Sequence, residues 1–425
     1  MHNKERIMRK ISCSLLLAAL FLAACTSEVE KKLQQEYPGK VLLTIKNPLA
    51  NDRPDEVVAI PLDLIRAKAA DFNPRAVVLA AKGRELPVQL CDDNGDGAPD
   101  HLLANLDAGA GERSRLILRY APEGVKERIY TPRAHAELSA KFGGEWVQRK
   151  YVGGTFHKVD FLRVPPEHTD HSEYIRYEGP GWESDRVGFR FYLDWRNAAD
   201  IFGKRSRELV LHRVGLEDFE NYHHMSDWGM DILKVGPALG IGTVAWWDGA
   251  AANRVAVTDS IHCRVAAAGP LLARIRTDYF GWKAGTNTLN LRSDLSITAG
   301  SRMTRHVLRL DSAIDNLCTG LVKLPDTEVI PPPAEGEWSW LATWGVQSLN
   351  QDRLGMAIFF RRADLISTTG DDLNHVVVLR PSQQKLEYYF LAAWELEPGG
   401  ITSREAFAAE LAAVAARLNN PLIIE

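Results

Sequence analysis

Met303-Thr304-Arg305-His306-Val307-Leu308-Arg309-Leu310 alternates, over most of its length, between side chains suited to a core and side chains suited to water. A period of two marks a strand with one covered face. Arg186-Val187-Gly188-Phe189-Arg190-Phe191-Tyr192-Leu193 repeats the pattern, and so does Leu289-Asn290-Leu291-Arg292-Ser293. Asn374 to Leu379 and Glu387 to Leu391 continue it. Gly, Pro, Asn and Asp separate these runs, and few stretches carry a helical period. Short strands from about 134 to 398 predict a large sandwich of antiparallel sheets. Pro331-Pro332-Pro333 reads as a loop inside it, and no internal repeat is visible.

Outward from this block the chain changes at both ends. Thr402-Ser403-Arg404-Glu405 fits a capping box with Thr402 at the cap. Phe407, Leu411, Val414 and Leu418 then recur at helical spacing until Asn419-Asn420-Pro421. This is one amphipathic helix with its apolar stripe in the core. Upstream, residues 39–122 read as a smaller all-β domain, with strands at Val41–Ile45, Arg75–Leu79 and Ser114–Tyr120 and a short helix near Leu62–Ala69. A charged connector follows over 122–132. The expected fold is therefore mostly β. A small N-terminal β-sandwich (39–122) precedes a large antiparallel sandwich (134–425) that carries the C-terminal helix.

Lys4, Arg6, Arg9 and Lys10 precede an apolar run from Ile11 to Ala24. That order is a secretory signal, and the run is short for a bilayer span. It closes on Leu22-Ala23-Ala24-Cys25, a lipobox, so residues 1–24 are expected to be removed and Cys25 lipidated. Residues 25–38 then form a tether. Thr26 stands where an inner-membrane retention signal has Asp. The expected place is an outer-membrane lipoprotein, on the periplasmic face or the cell surface, touching the membrane only through its lipid. A net charge of −4 offers no basic field and excludes nucleic acid as a partner. Cys91, Cys263 and Cys318 show no paired metal spacing. They are either free thiols or one free thiol with a Cys263–Cys318 bridge.

The densest polar constellation is Asn221-Tyr222-His223-His224-Met225-Ser226-Asp227-Trp228-Gly229-Met230-Asp231-Ile232-Leu233-Lys234. No hydrophobic period explains it. Titratable and aromatic groups on a supported loop suit an active site, and adjacent histidines are hard to justify by packing alone. A second stretch, Tyr177-Glu178-Gly179-Pro180-Gly181-Trp182-Glu183-Ser184-Asp185-Arg186, sets two carboxylates two residues apart. On an extended chain Glu183 and Asp185 share a side, which suits acid–base work on a glycoside or ion pairing with Arg186 and Arg190. Glu167-His168-Thr169-Asp170-His171 has ligand types for Zn²⁺, but with no helix to fix their faces it reads as a solvated loop. Asp92-Asp93-Asn94-Gly95-Asp96-Gly97-Ala98-Pro99-Asp100 matches the first half of a calcium loop, with Asp92, Asn94, Asp96 and Asp100 as ligands. Leu103 stands where an EF-hand has its bidentate Glu. The loop is a structural Ca²⁺ site or an Asx-rich turn, and no cofactor is required for chemistry. There is no nucleophile elbow and no phosphate loop.

These blocks, with Leu193–Lys204 and the Phe407–Pro421 helix, resemble the bacterial lipoproteins grouped as domain of unknown function 4861. The resemblance runs from about Gly39 to the C-terminus. It implies a component of a polysaccharide-utilisation system, beside enzymes for uronate-rich glycans. It also implies a sandwich similar to the galactose-mutarotase and polysaccharide-lyase super-sandwich. Fold alone does not fix chemistry.

The expectation that follows is a carbohydrate-active enzyme on acidic oligosaccharides or polysaccharides, a lyase acting by β-elimination. Such a reaction needs a group that neutralises the uronate carboxylate, a base and an acid. His223 or His224 would be the base and Tyr222 the acid. Asp227 would orient a histidine, and Asn221, Arg190 or Lys234 would hold the carboxylate. A glycoside hydrolase would use Glu183 with Asp185, Asp194 or Asp227, and a mutarotase-like epimerase a histidine with a carboxylate. A non-catalytic glycan-binding protein would instead stack sugar on Trp182, Trp228, Trp246 and Trp247.

Overall fold

The computed structural model describes residues 31–216 and 221–425. Cys25 and the signal segment lie outside the described residues. The chain divides into two compact units, one running to Tyr130 and reclaiming Leu422–Glu425, the other spanning Thr131–Pro421. The large domain therefore stops at Pro421, short of the 425 expected from the sequence.

In the first unit a five-stranded sheet has the order β29-β1-β7-β3-β4, with β1 Gly39–Lys46, β3 Val77–Ala81, β4 Arg84–Leu86, β7 Arg113–Tyr120 and β29 Ile423–Ile424. A three-stranded sheet has the order β2-β6-β5, with β2 Arg53–Pro61, β5 Val88–Cys91 and β6 His101–Ala108. Alternation puts Val41, Leu43 and Ile45 of β1 into the core with Leu116 and Leu118 of β7. Ile60, Leu102 and Ala104 of the smaller sheet join the same cluster, so the two sheets form a small sandwich. Each such large side chain withdrawn from water contributes about 1.5–3 kcal/mol. Helix α1, Leu62–Lys68, adds Leu62 and Ile65 one turn apart.

In the second unit a nine-stranded antiparallel sheet has the order β11-β18-β19-β20-β21-β28-β25-β24-β23. These are β11 Phe161–Arg163, β18 Ser260–Ala268, β19 Leu272–Ala284, β20 Asn287–Thr298, β21 Met303–Leu310, β23 Thr327–Ile330, β24 Trp338–Val346, β25 Arg353–Arg361 and β28 Lys385–Trp394. Two five-stranded sheets share its core. One has the order β15-β14-β13-β12-β8, with β8 Ala134–Glu137, β12 Gly181–Ser184, β13 Val187–Phe191, β14 Ala199–Lys204 and β15 Gly229–Asp231. The other has the order β17-β16-β22-β27-β26, with β16 Ala245–Trp247, β17 Ala252–Arg254, β22 Leu317–Val322, β26 Leu365–Gly370 and β27 Asn374–Leu379. A hairpin of β9 Ser139–Val147 and β10 Lys150–Lys158 completes the unit.

Leu308 of β21, Ile358 and Phe360 of β25, Trp182, Phe189 and Ile201 of one small sheet and Leu321 and Val377 of the other form one core cluster. Side chains at the intervening positions face the other way. Phe359 and Ala357 of β25 meet Trp340, Trp344, Phe407, Leu411 and Val414, which places helix α2, Arg404–Asn419, against the second face of the large sheet. The cap of α2 is Ser403, whose side chain accepts the Ala406 N–H at 3.2 Å. Thr402 precedes it, and with Ala406 at the reciprocal position no capping box closes. On β21 the polar partners of the alternation pair across strands, Arg305 with Glu387 at 2.8 Å and Arg309 with Asp294 at 2.9 Å. Cys91, Cys263 and Cys318 are buried free thiols.

Candidate functional site

The site grows from strand register. Arg190 of β13 lies directly opposite Asp200 of β14, and Phe202 lies opposite Asp231 of β15. With Phe189 and Ile201 committed to the core, period two sends Arg190, Asp200, Phe202 and Asp231 to the other face. Gly229 lets β15 approach: its φ is +131°, and a Cβ there would come 1.8 Å from the Gly203 carbonyl oxygen. Val210, Leu211, Val214 and Tyr222 close over Phe202 and Tyr177 as a separate apolar cluster. The charged face is thus buried, and every ion on it must be matched.

Arg190 is matched on all sides. Its Nε and Nη2 donate to Asp200 Oδ2 at 3.1 and 2.9 Å, and Nη2 also donates to Asp231 Oδ2 at 2.5 Å. Nη1 donates to the Tyr222 hydroxyl at 3.0 Å, and Tyr192 donates to Asp200 at 2.6 Å. Arg190 is 2% exposed. It is a structural hub, and the substrate-binding role expected of it is corrected, since it is buried and its donors are spent on Asp200, Asp231 and Tyr222.

Burial, then the neighbouring Asp231, push Asp200 up from 3.8 to about 7 against the pull of Arg190. The folded chain therefore keeps a proton that the unfolded chain has released between those values. Stability from this group is present at low pH and is lost as pH rises through about 7. The expected result is that Tm falls from pH 5 to pH 8 more steeply in the wild type than in Asp200→Asn. Parallel pH profiles of the two would refute this.

Glu183 and Asp185 are corrected as acid–base candidates. Glu183 is fully buried; it accepts Lys204 Nζ at 2.7 Å and the N–H groups of Val210 and Leu211 at 2.8 Å each. It anchors the covering segment. Strand β12 ends at Ser184, so Asp185 leaves the shared face and is held by Arg133 at 2.7 Å and the Gly300 N–H at 2.7 Å. Trp182 is corrected too. It is wholly buried, stacked on Phe189 at 5.7 Å and donating to Thr304 Oγ1 at 2.9 Å, so it is core and not a sugar platform.

Tyr222 sits in a 3₁₀ turn, Asn221–His223. Its ring meets Phe202 edge-on at 5.8 Å, and it lines a cavity of about 460 Å³ with Lys141, Thr155, Phe156, Glu173 and Tyr177. Burial raises its pKa, with Arg190 opposing, so the phenol stays protonated at neutral pH. His223 stands 4.5 Å from it, centroid to centroid, with Nε2 at 3.3 Å from Asp231 Oδ2. His223 is half-buried, whereas His224, Asn221, Asp227 and Lys234 are exposed. Asp231, not Asp227, is the carboxylate at His223. Trp228 is half-buried with its edge on Phe202 at 5.9 Å, as part of the cover. Also in the cavity lining, Lys141 lies 3.4 Å from Glu173, which also takes Lys150 at 2.8 Å. Two ammonium groups against one carboxylate leave that part of the lining net positive.

A second network abuts the hub. Arg196 reaches Asp170 at 3.0 Å and Glu178 at 2.7 Å, and is held by Asp194. Asp170, His171 and Glu178 converge closely enough to share a cation. The Arg196 guanidinium binds both carboxylates, so the group does not fit a metal ion. His168 is buried between Ser172 Oγ at 2.7 Å and the Glu178 carbonyl at 3.3 Å, not solvated. Non-glycine residues in the left-handed region cluster here, at His171, Glu173, Tyr177, Glu178 and Asn197. Such strain gathers at functional sites.

In the first unit Asp92 accepts the Gly95 and Gly97 N–H groups at 2.6 and 2.8 Å, and Asp100 accepts that of Asp93 at 2.7 Å. The Asn94 amide donates to Asp96 at 3.1 Å. The Asp92–Asp100 loop thus closes on its own hydrogen bonds.

Asp200, Asp231, Glu178 and Lys141 shape the site without a role assigned to them from the sequence, although Glu178 stood inside the second quoted stretch. Asp231 stood inside the quoted constellation, and a 3.6-free stretch ending in a short strand was its only signal.

No match appears among curated proteins. Two solved structures are similar over most of this chain. A glycosyl hydrolase family 38 protein from Enterococcus faecalis has 8% identity and a TM-score of 0.41, covering 91% of this chain and 47% of its own. An alpha-mannosidase from Enterococcus faecalis V583 has 8% identity and a TM-score of 0.38, covering 94% and 48%. The chain spans about half the length of either. The chain belongs to the family described as Domain of unknown function (DUF4861), which it matches over residues 45–424, nearly its whole length.

Proposed function

We propose that the protein is a carbohydrate-active enzyme that cleaves acidic oligosaccharides by β-elimination in the Tyr222 cavity. The observation that carries this is a cavity lined by both Lys141 and Tyr222, with the His223–Asp231 pair against Tyr222. Lys141 supplies positive charge to the lining and Tyr222 a protonated phenol, with His223 beside Tyr222 and backed by Asp231. Lys141 would neutralise the uronate carboxylate, which acidifies the C5 proton. His223 takes that proton, the C4–O bond breaks as the C4–C5 double bond forms, and Tyr222 gives its proton to the departing oxygen. Because Arg190 donates to the Tyr222 oxygen, the phenol's own hydrogen is left to point elsewhere.

The test is to incubate the purified protein with uronate oligosaccharides and follow ultraviolet absorbance from the new double bond. Absorbance supports elimination. Reducing ends without absorbance replace it with hydrolysis, and neither replaces it with epimerisation or binding alone.

We propose further that a lipid on Cys25 tethers the protein outside the cytoplasm. Cys25→Ala is expected to leave the membrane fraction, and continued partition into detergent would refute the anchor. A Ca²⁺ ion in the Asp92–Asp100 loop is proposed from the alternation of ligand types. Chelator is then expected to lower the Tm of the wild type and not of Asp96→Ala. Equal melting would assign the loop to Asx turns alone.

A further inference from the structure

Of the eleven tryptophans, Trp195 alone is largely exposed, at 48%. The chain holds it there firmly. It sits in the turn between β13 and β14, where the Asn197 N–H donates to the Asp194 carbonyl at 3.0 Å and the Arg196 N–H to Asp194 Oδ1 at 2.8 Å. Asn197 completes the turn with a left-handed φ of 40°. Arg254, at the end of β17, places its guanidinium 5.4 Å from the centre of the indole. Its Nη1 is fixed by the carbonyls of Gly236 at 3.3 Å and Ala238 at 3.2 Å. Its Nε and Nη2 have no partner among the described residues.

An exposed indole backed by a cation is poor use of apolar surface unless something lies on it. The negative face of an indole suits the polarised C–H face of a pyranose, and the unspent guanidinium donors suit a carboxylate. Asp194 attracts Arg254 through space, but its carboxylate is held by Arg196. It forms no ion pair with Arg254 among the described residues, so the Arg254 donors stay open to a ligand. The turn joins the two strands that carry Arg190 and Asp200, so the platform is built on the same rigid hairpin as the hub.

We infer that Trp195 and Arg254 form a separate subsite for an acidic pyranose, outside the cavity lined by Tyr222. The inference rests on the acidic-saccharide class proposed above but not on the elimination chemistry. The probes are trigalacturonate and its neutral methyl ester, with binding followed by calorimetry and turnover by ultraviolet absorbance in parallel. The wild type is expected to bind the acid form tighter than the ester. Trp195→Ala should weaken binding at least about tenfold, as expected for losing one stacking platform. Trp195→Phe should retain most of it, and Arg254→Gln should erase the preference for the acid. Unchanged binding by Trp195→Ala overturns the subsite while turnover, if present, leaves the elimination reading standing. Binding that depends on Trp195 with no unsaturated product supports the subsite and overturns elimination. Failure of the wild type to bind either probe overturns the subsite.

Discussion

Tyr222→Phe is expected to lose turnover of uronate oligosaccharides by about a hundred- to ten-thousand-fold, the range for removing one positioned proton donor. His223→Ala should do the same. Stability should fall far less than activity. Losing the phenol leaves the buried Arg190 Nη1 without the acceptor it has at 3.0 Å, a cost of about 1–3 kcal/mol. His223 is half-buried, so its removal opens no core. The measurement is kcat for unsaturated product beside a melting curve for each variant. Activity that merely tracks melting would make both residues structural. His224→Ala is the internal control: its side chain is exposed, and it should keep near-wild-type turnover.

The second large effect concerns the hub. Arg190→Met leaves Asp200 and Asp231 buried without their cation, beside Glu178 at 4.0 Å from the lost Nη1. Breaking a buried pair from one side costs about 3–5 kcal/mol, much of it the penalty of the stranded charge. Denaturant unfolding should show that loss. Arg190→Lys should not restore it, because one ammonium cannot reproduce the fork that reaches Asp200, Asp231 and Tyr222. Combining Arg190→Met with Asp200→Asn should recover part, since one carboxylate then needs no counter-charge. A stable Arg190→Met protein that has lost only substrate affinity would return Arg190 to a binding role.

The strands were legible where both partners of an alternation lay in one run. Met303–Leu310 and Asn374–Leu379 are strands with those bounds, because their period is local. The site was legible only in part. That Arg190 would face Asp200 depends on register across a turn, and that Asp231 would join them depends on a third strand edge. Neither is written in spacing. Glu183 and Asp185 share a face only if the strand covers both, and it stops between them. Adjacent His223 and His224 look equivalent in sequence, but the 3₁₀ turn aims one at Asp231 and the other at water. Lys141 reads as an ordinary polar position on a strand, and only the cavity beyond it gives it meaning.

The short strand β29 has a kinetic consequence. Ile424 pairs with Ile45 and Ile423 with Lys46, and Thr44 exchanges backbone hydrogen bonds with Glu425. β1 is among the first described strands to be synthesised and β29 is the last, with the entire second unit between them. On a growing chain the N-terminal sandwich therefore waits with part of β1 as an open edge, its N–H and C=O groups unpaired. Closing that edge is the most non-local step in the chain, and loop-closure entropy makes such steps late. During that wait the edge is available to the wrong strand, so a chain cut after Pro421 should keep its second unit yet self-associate through β1.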